Sequence, residues 1–187
     1  MIAILIIAGL AVLIIFWLIS IYNRLVGLRN RRENAFADVD VQLKQRLDLI
    51  PQLVSTVKGY AAHEKGVLEQ VTKARAGVMA AQSVEGKVQA ENMLTSALQG
   101  LRIAIEAYPD LKANQNFMQL QEEIADIENK LAASRRFFNS ATQELNTAIE
   151  RFPNTLISSR YGFARQTLFT VGDENRAAME QAPVISF

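Results

Sequence analysis

The chain has 187 residues, with 20 Lys and Arg, 19 Asp and Glu, and a net charge of +1. That balance argues against nucleic acid as a partner, because such binding needs a clear basic excess on one face. Cysteine is absent, which excludes a disulfide framework, a thiol nucleophile and a thiolate metal site.

Ile2 through Ile21 carries no ionisable side chain, and Ser20 is its only clearly polar member. A 20-residue helix rises about 30 Å, the thickness of a bilayer's hydrocarbon core. A cleaved signal peptide would start with basic residues and end at a small-x-small site. Here no Lys or Arg precedes the run, which ends in Leu18-Ile19-Ser20-Ile21-Tyr22. Residues 1–22 are therefore expected to be an uncleaved transmembrane anchor.

Residues 23–35 form a basic juxtamembrane segment containing Arg24, Arg29, Arg31 and Arg32. Trp17 and Tyr22 suit the amphipathic headgroup layer, and the arginines suit anionic headgroups. These six side chains are the expected lipid contacts, although stopping transfer would by itself account for the charges. The positive-inside rule puts the N-terminus outside and the C-terminal bulk in the cytoplasm of a cell inner membrane. A periplasmic bundle is the alternative.

Residues 36–160 read as a helical bundle, with Ala, Glu, Gln, Leu, Lys and Arg dominant and only 9 Gly and 4 Pro in the chain. A first apolar stripe runs through Phe36, Val39, Leu43, Leu47, Ile50, Val54, Val57, Ala61, Leu68, Val71 and Val78, predicting helix to about Ala81. A second runs through Ala90, Leu94, Leu98, Leu101, Ile105 and Tyr108. The third takes in Leu120, Ile124, Ile127, Leu131, Ser134, Phe138, Ala141, Leu145, Ala148 and Phe152. No stretch alternates as a half-buried strand would. Ser83–Gly86, Tyr108-Pro109 and Phe152-Pro153 supply the breaks. Asn114 or Asn116 is placed to cap the third helix, and Asn154 a short turn after it. Short connections predict an up-and-down antiparallel arrangement.

Pro51 interrupts the first stripe, freeing the carbonyl of Leu47 and predicting a kink or a stop. Gln52, Lys44 or a backbone group is a candidate to satisfy that carbonyl. The Asp48-Leu49-Ile50-Pro51 element is thus either a partner-binding surface or a bend that lets one helix follow its core. Only the weak breaker Gly27 lies between Ile21 and Pro51, so span and bundle are expected to share one helix, with a hinge at Asn23 or Gly27 as the rival. Glu64 and Arg75 fall on core-phase positions. Either the stripe drifts to the surface there, or they pair across helices. Arg135-Arg136 against Asp38 or Asp40 is another candidate pair. Residues 161–187 lose the pattern and read as a tail, with Phe163, Phe169 and Phe187 free to pack back or to meet another chain.

No catalytic constellation appears. His63-Glu64 starts like a zinc-protease helix, but Val67 stands where the second His is needed. Gly86-Lys87 lacks the rest of a phosphate loop. No enzyme activity, cofactor or metal is expected. A metal-dependent sensor or enzyme remains a remote alternative.

The stretch Arg32-Glu33-Asn34-Ala35-Phe36 through Asp48-Leu49-Ile50-Pro51-Gln52-Leu53-Val54, continuing to Lys58-Gly59-Tyr60 and His63-Glu64, closely resembles the LemA family. Tyr22-Asn23-Arg24-Leu25-Val26, Gln121-Glu122-Glu123-Ile124, Glu128-Asn129-Lys130, Arg135-Arg136-Phe137-Phe138-Asn139 and Phe152-Pro153 follow in the same order. Phe138 departs from the Tyr usual in the family, and Leu168-Phe169-Thr170 departs from its usual Tyr-Phe-Glu. The resemblance implies an all-α fold, a single N-terminal transmembrane helix followed by an elongated four-helix, up-and-down bundle, without enzymatic activity or cofactor. It links the chain to relatives associated with membrane-localised proteases, envelope stress and magnetosome membranes.

The functional expectation is a membrane-anchored scaffold or adaptor that organises membrane proteins or membrane shape. Its expected partners are the lipid bilayer, membrane proteins (a membrane protease system among them) and copies of itself. Self-assembly into a membrane-curving oligomer is the alternative, with Ala8-Gly9 and Ala11 as a small-residue contact patch.

Overall fold

The computed structural model describes residues 1–61 and 63–169. Among them the chain is all-helical: α1 (Ile2–Tyr60), α2 (Lys65–Ala80), α3 (Val84–Ile105), α4 (Pro109–Lys112), α5 (Gln115–Glu150) and α6 (Asn154–Arg160). Of the tail expected over residues 161–187, residues 170–187, Phe187 among them, lie outside the described residues.

The first helix settles two expectations. It runs from Ile2 through Gly27 and Pro51 to Tyr60 without interruption, so the hinge at Asn23 or Gly27 is not present and Pro51 is not a stop. It does end 21 residues before Ala81, however, as α1 gives way to a turn at His63 and restarts as α2 at Lys65. The apolar spacing could not reveal this break. Val57, Ala61, Leu68 and Val71 keep helical phase across it, and all four are buried.

Two compact units divide the chain: Met1–Asp40 with Ala133–Leu168, and Val41–Ala132 with Phe169. In the first, Ile21 and Leu25 of α1 pack with Leu145, Ala148 and Ile149 of α5 and with Ile157 of α6. Leu18, Leu28 and Phe163 close around them. Farther along, the rings of Phe36 and Phe138 meet at 5.4 Å, and Phe138 is wholly enclosed. Burying side chains of this size stabilises the fold by about 1.5–3 kcal/mol each.

The second unit has the larger core. Leu47, Ile50, Leu53 and Val57 from α1 meet Leu68, Val71 and Val78 from α2, Leu94 and Leu101 from α3, Leu111 from α4, and Phe117, Leu120 and Ile124 from α5. The side chain of Ser83 caps α3 by accepting from the Gly86 amide at 3.0 Å. Asn114 caps α5, its Oδ1 accepting from the Phe117 amide at 3.1 Å. Each such cap contributes about 1 kcal/mol.

The segment after α5 is more ordered than the sequence pattern suggests. Asn154 does not cap α6; its amide donates back to the Ala148 carbonyl at 2.9 Å, and Pro153 occupies the cap position. Ser158 Oγ likewise donates to the Ile149 carbonyl at 3.0 Å. These bonds satisfy carbonyls at the end of α5 that have no helical partner. Gly162 then takes φ +73°, and the Phe163 amide donates to the Ser158 carbonyl at 3.0 Å. That is a Schellman ending, where glycine's freedom at positive φ is required. It turns Phe163 onto the first core. Next, Gln166 is held by two bonds to the buried Asn146: its amide to Oδ1 at 2.8 Å and its carbonyl from Nδ2 at 2.9 Å. Phe169 is buried as well.

Candidate functional site

Two regions hold the expected functional residues. The first is the end of the apolar span, in the first unit. α1 is long and apolar enough to cross a membrane, and its apolar stretch is not buried against the rest of the chain. Trp17 is half exposed on that stretch. Tyr22 stacks edge-on against Tyr161 at 5.1 Å and Phe163 at 6.0 Å. Arg29 lies over the Phe163 ring at 5.4 Å. Aromatic side chains distant in sequence therefore meet here, with Tyr161 and Phe163 delivered by α6 and its Schellman turn.

The arginines separate into different roles. Arg24 is exposed. Arg31 pairs with Glu144 at 3.0 Å, both side chains about half exposed, a pair worth at most about 1 kcal/mol. Arg32 corrects the expectation of a headgroup contact. It is 8% exposed, its Nε donates to Thr142 Oγ1 at 3.2 Å, and its guanidinium lies 4.9 Å from the centre of the Phe138 ring. Arg32 thus ties α1 to α5, because a weakly hydrated planar cation can be buried on an aromatic face where a hydrated ammonium could not.

The second region surrounds Asp48 and Pro51, in the second unit. Both are exposed. Asp48 lines a shallow cleft of about 370 Å³ with Gln45, Leu49, Glu123 and Lys130. Lys130 is already paired with Asp126 at 2.7 Å. The carbonyl of Leu47, freed by Pro51, accepts from Arg75 Nε at 2.9 Å. Of the two readings of Arg75, cross-helix pairing is the one found. The satisfying group comes from α2, not from Gln52 or Lys44. Glu64 also pairs across elements, accepting from the Tyr108 hydroxyl at 3.0 Å. That bond, followed by desolvation and the carboxylate's charge, raises the Tyr108 pKa above its ordinary value of 10.0.

Sequence reasoning missed the most buried polar cluster. Arg46 is 3% exposed and donates to Glu91 Oε1 at 2.8 Å and to Glu128 Oε1 at 3.0 Å. Thr95 Oγ1 also donates to Glu91 Oε1 at 2.9 Å. Glu91 is wholly buried. The signal was in the spacing: Leu43, Arg46, Leu47 and Ile50 share one face, as do Val88, Glu91 and Leu94. Assigning the second stripe to Ala90 hid Glu91 one residue away. The cluster joins α1, α3 and α5, with one guanidinium facing two carboxylates. Among the described residues, no group of three or more His, Cys, Asp and Glu is placed to hold a metal ion.

The sequence matches a profile of the LemA family over residues 35–187. A protein LemA of Metamycoplasma hominis is 22% identical, over 84% of this chain and 73% of the relative. The magnetosome protein MamQ of Magnetospirillum gryphiswaldense is 23% identical, over 79% of this chain and 64% of the relative, so the match spans less than two thirds of that protein. With the family profile covering most of the sequence, over the helices that hold the Pro51 element and the buried Arg46 cluster, the chain belongs to the LemA family.

Proposed function

We propose that this chain is a non-enzymatic scaffold or adaptor of the bacterial inner membrane, whose helical units organise membrane proteins or membrane shape. One observation carries the reading: the apolar stretch and the core-forming stripes of both units belong to one unbroken helix, α1. A span that is also a core element has no flexible tether at the bilayer surface. Its small loss of freedom on meeting a partner favours docking in a fixed orientation. Similarity to a protein named for the magnetosome fits this reading. Within the second unit, α1, α2, α3 and α5 are proposed to pack as a four-helix, up-and-down bundle, since short connections place successive helices antiparallel.

Crosslinking in native membranes followed by purification of the full chain tests the proposal. Recovery of a reproducible set of membrane proteins, a membrane protease among them, is expected, together with an envelope or membrane-shape defect on deletion. Recovery of the chain alone with no defect on deletion counts against it.

Self-assembly is the second reading. A Cβ added at Gly9 would meet nothing within 4 Å, and Ala8 and Ala11 are exposed beside it, so a second helix can approach closely there. A crosslinked ladder of this chain alone, lost on Gly9→Leu, would support it.

A further inference from the structure

Beside the end of the span, the first unit contains a cleft of about 360 Å³ whose lining includes Arg24 and Leu28 from α1, Ser140 and Thr147 from α5, Arg151 just after α5 and Asn154 from α6. Arg24 and Arg151 are 127 positions apart in sequence and open onto the same space. Both are exposed, and among the described residues neither has an ion-pair partner. The one carboxylate in the lining, Glu144, is neutralised by Arg31 at 3.0 Å. Among the described residues the cleft is therefore cationic, with two unpaired guanidiniums and two hydroxyls beside them.

Its depth follows from the helix. Arg24 is three residues beyond Ile21, a rise of about 4.5 Å, and the headgroup layer outside the hydrocarbon is roughly 5–7 Å thick. α6 is fixed near the same level by the Tyr22–Tyr161 contact. In the segment that supplies Arg151 and Asn154, Phe152, Leu156 and Tyr161 are exposed, at 78%, 63% and 62%. In water these would be a cost, whereas in an interfacial layer aromatic and aliphatic side chains are stabilised. Guanidiniums bind phosphate oxygens in a bidentate fashion.

We propose that this cleft binds the phosphate headgroup of an anionic phospholipid, held between Arg24 and Arg151, while Phe152, Leu156 and Tyr161 seat the end of α5 and α6 in the interface. The site rests on the membrane-anchored reading above and adds to it a specific lipid. It also makes the segment after α5, remote in sequence from the span, a second membrane contact.

The test uses the full chain purified in a neutral detergent and titrated with phosphatidylglycerol, phosphatidylcholine or inorganic phosphate, with retained ligand counted by native mass spectrometry. Phosphatidylglycerol should be retained at one per chain, and phosphatidylcholine should not compete with it. The Arg24→Gln/Arg151→Gln pair should weaken retention by about twenty-fivefold, at roughly fivefold for each lost surface cation. Arg24→Lys/Arg151→Lys, which keeps the charge, should lose less. Arg102→Gln, on exposed α3 surface, should lose nothing. Equal retention by the natural chain and the Gln pair overturns the proposal. So does equal loss in Arg102→Gln, or displacement by millimolar inorganic phosphate, which would make the ligand a free anion. Carbonate extraction of native membranes is run alongside. A chain that washes off fails the anchored reading, whereas one that stays but retains no lipid fails only the headgroup site.

Discussion

The buried arginine at 46 shows how much one polar position carries. Two charges removed from water lose solvation worth several kcal/mol each, and only close geometry and added hydrogen bonds return it. Arg46 has both, at 2.8 Å to Glu91 and 3.0 Å to Glu128. Arg46→Ala removes the guanidinium that faces the buried Glu91, and should lower stability by about 3–5 kcal/mol in chemical denaturation of the detergent-solubilised chain. Arg46→Met with Glu91→Leu removes both charges and should recover most of that loss. A single variant as mild as the double one would show that the pair does not hold the register of α1 against α3. Tyr108 provides a pH-dependent counterpart. Its hydroxyl donates to Glu64, which raises its pKa. The sign follows from the direction: the phenol's contribution is complete below its unfolded-state value of about 10 and disappears as pH rises through the higher folded value. The natural chain should therefore be more stable than Tyr108→Phe at pH 8, and the difference should close above pH 10. A difference that persists to pH 12 would assign it to packing alone.

Among the elements, α1 shows what apolar spacing reveals and what it hides. The stripe from Val39 to Val57 and that from Leu120 to Leu145 were legible because a 3.6-residue period puts them on one face, and most of these residues are buried. The cap of the third helix was legible only as Asn114 or Asn116, and Asn114 is the one that accepts from the Phe117 amide. The break at Ala61–Glu64 was not, since the next helix resumes in phase. Phe152 ends the third stripe in sequence yet is exposed, because α5 ends at Glu150. Of the residues expected at the membrane surface, Trp17 and Arg24 are exposed and Tyr22 meets Tyr161 and Phe163, a contact that distance to the apolar run does not encode. Arg32's interior position depends on Thr142 and Phe138, and Arg75's on Leu47, contacts across more than 25 residues that spacing does not encode. The Pro51 element allows a direct check. Proline removes the amide that would bond the Leu47 carbonyl, and Arg75 replaces it from α2. Arg75→Met should cost about 1–3 kcal/mol in the natural chain, the penalty for a buried unmet acceptor. In a Pro51→Ala background the alanine amide takes up the carbonyl, and the same substitution should cost well under half as much. Equal costs in the two backgrounds would mean the Arg75 bond contributes nothing through that carbonyl.

For the molecule as a whole, the proposed anchor carries a prediction about topology. In the folded protein the arginines after the span are unequal, with Arg32 buried and Arg31 paired. Topology, however, is decided during insertion, before α5 and α6 exist to provide Thr142, Phe138 or Glu144. At that stage all four arginines count as free charge next to the span. Moving such charges through the bilayer centre costs about 2.5–3.5 kcal/mol each on the insertion scale, so the expected arrangement keeps them, and everything after them, in the cytoplasm. Because the chain has no cysteine, single introduced thiols report without background. Glu69→Cys on α2 and Gln119→Cys on α5 are at exposed positions. Both should resist a membrane-impermeant maleimide in intact cells and react fully after lysis. Reaction of both in intact cells would put the units in the periplasm and show that four arginines do not set the orientation. Arg24→Glu with Arg29→Glu should then shift the natural pattern toward labelling in intact cells, since the two earliest charges weigh most while only the span has been inserted.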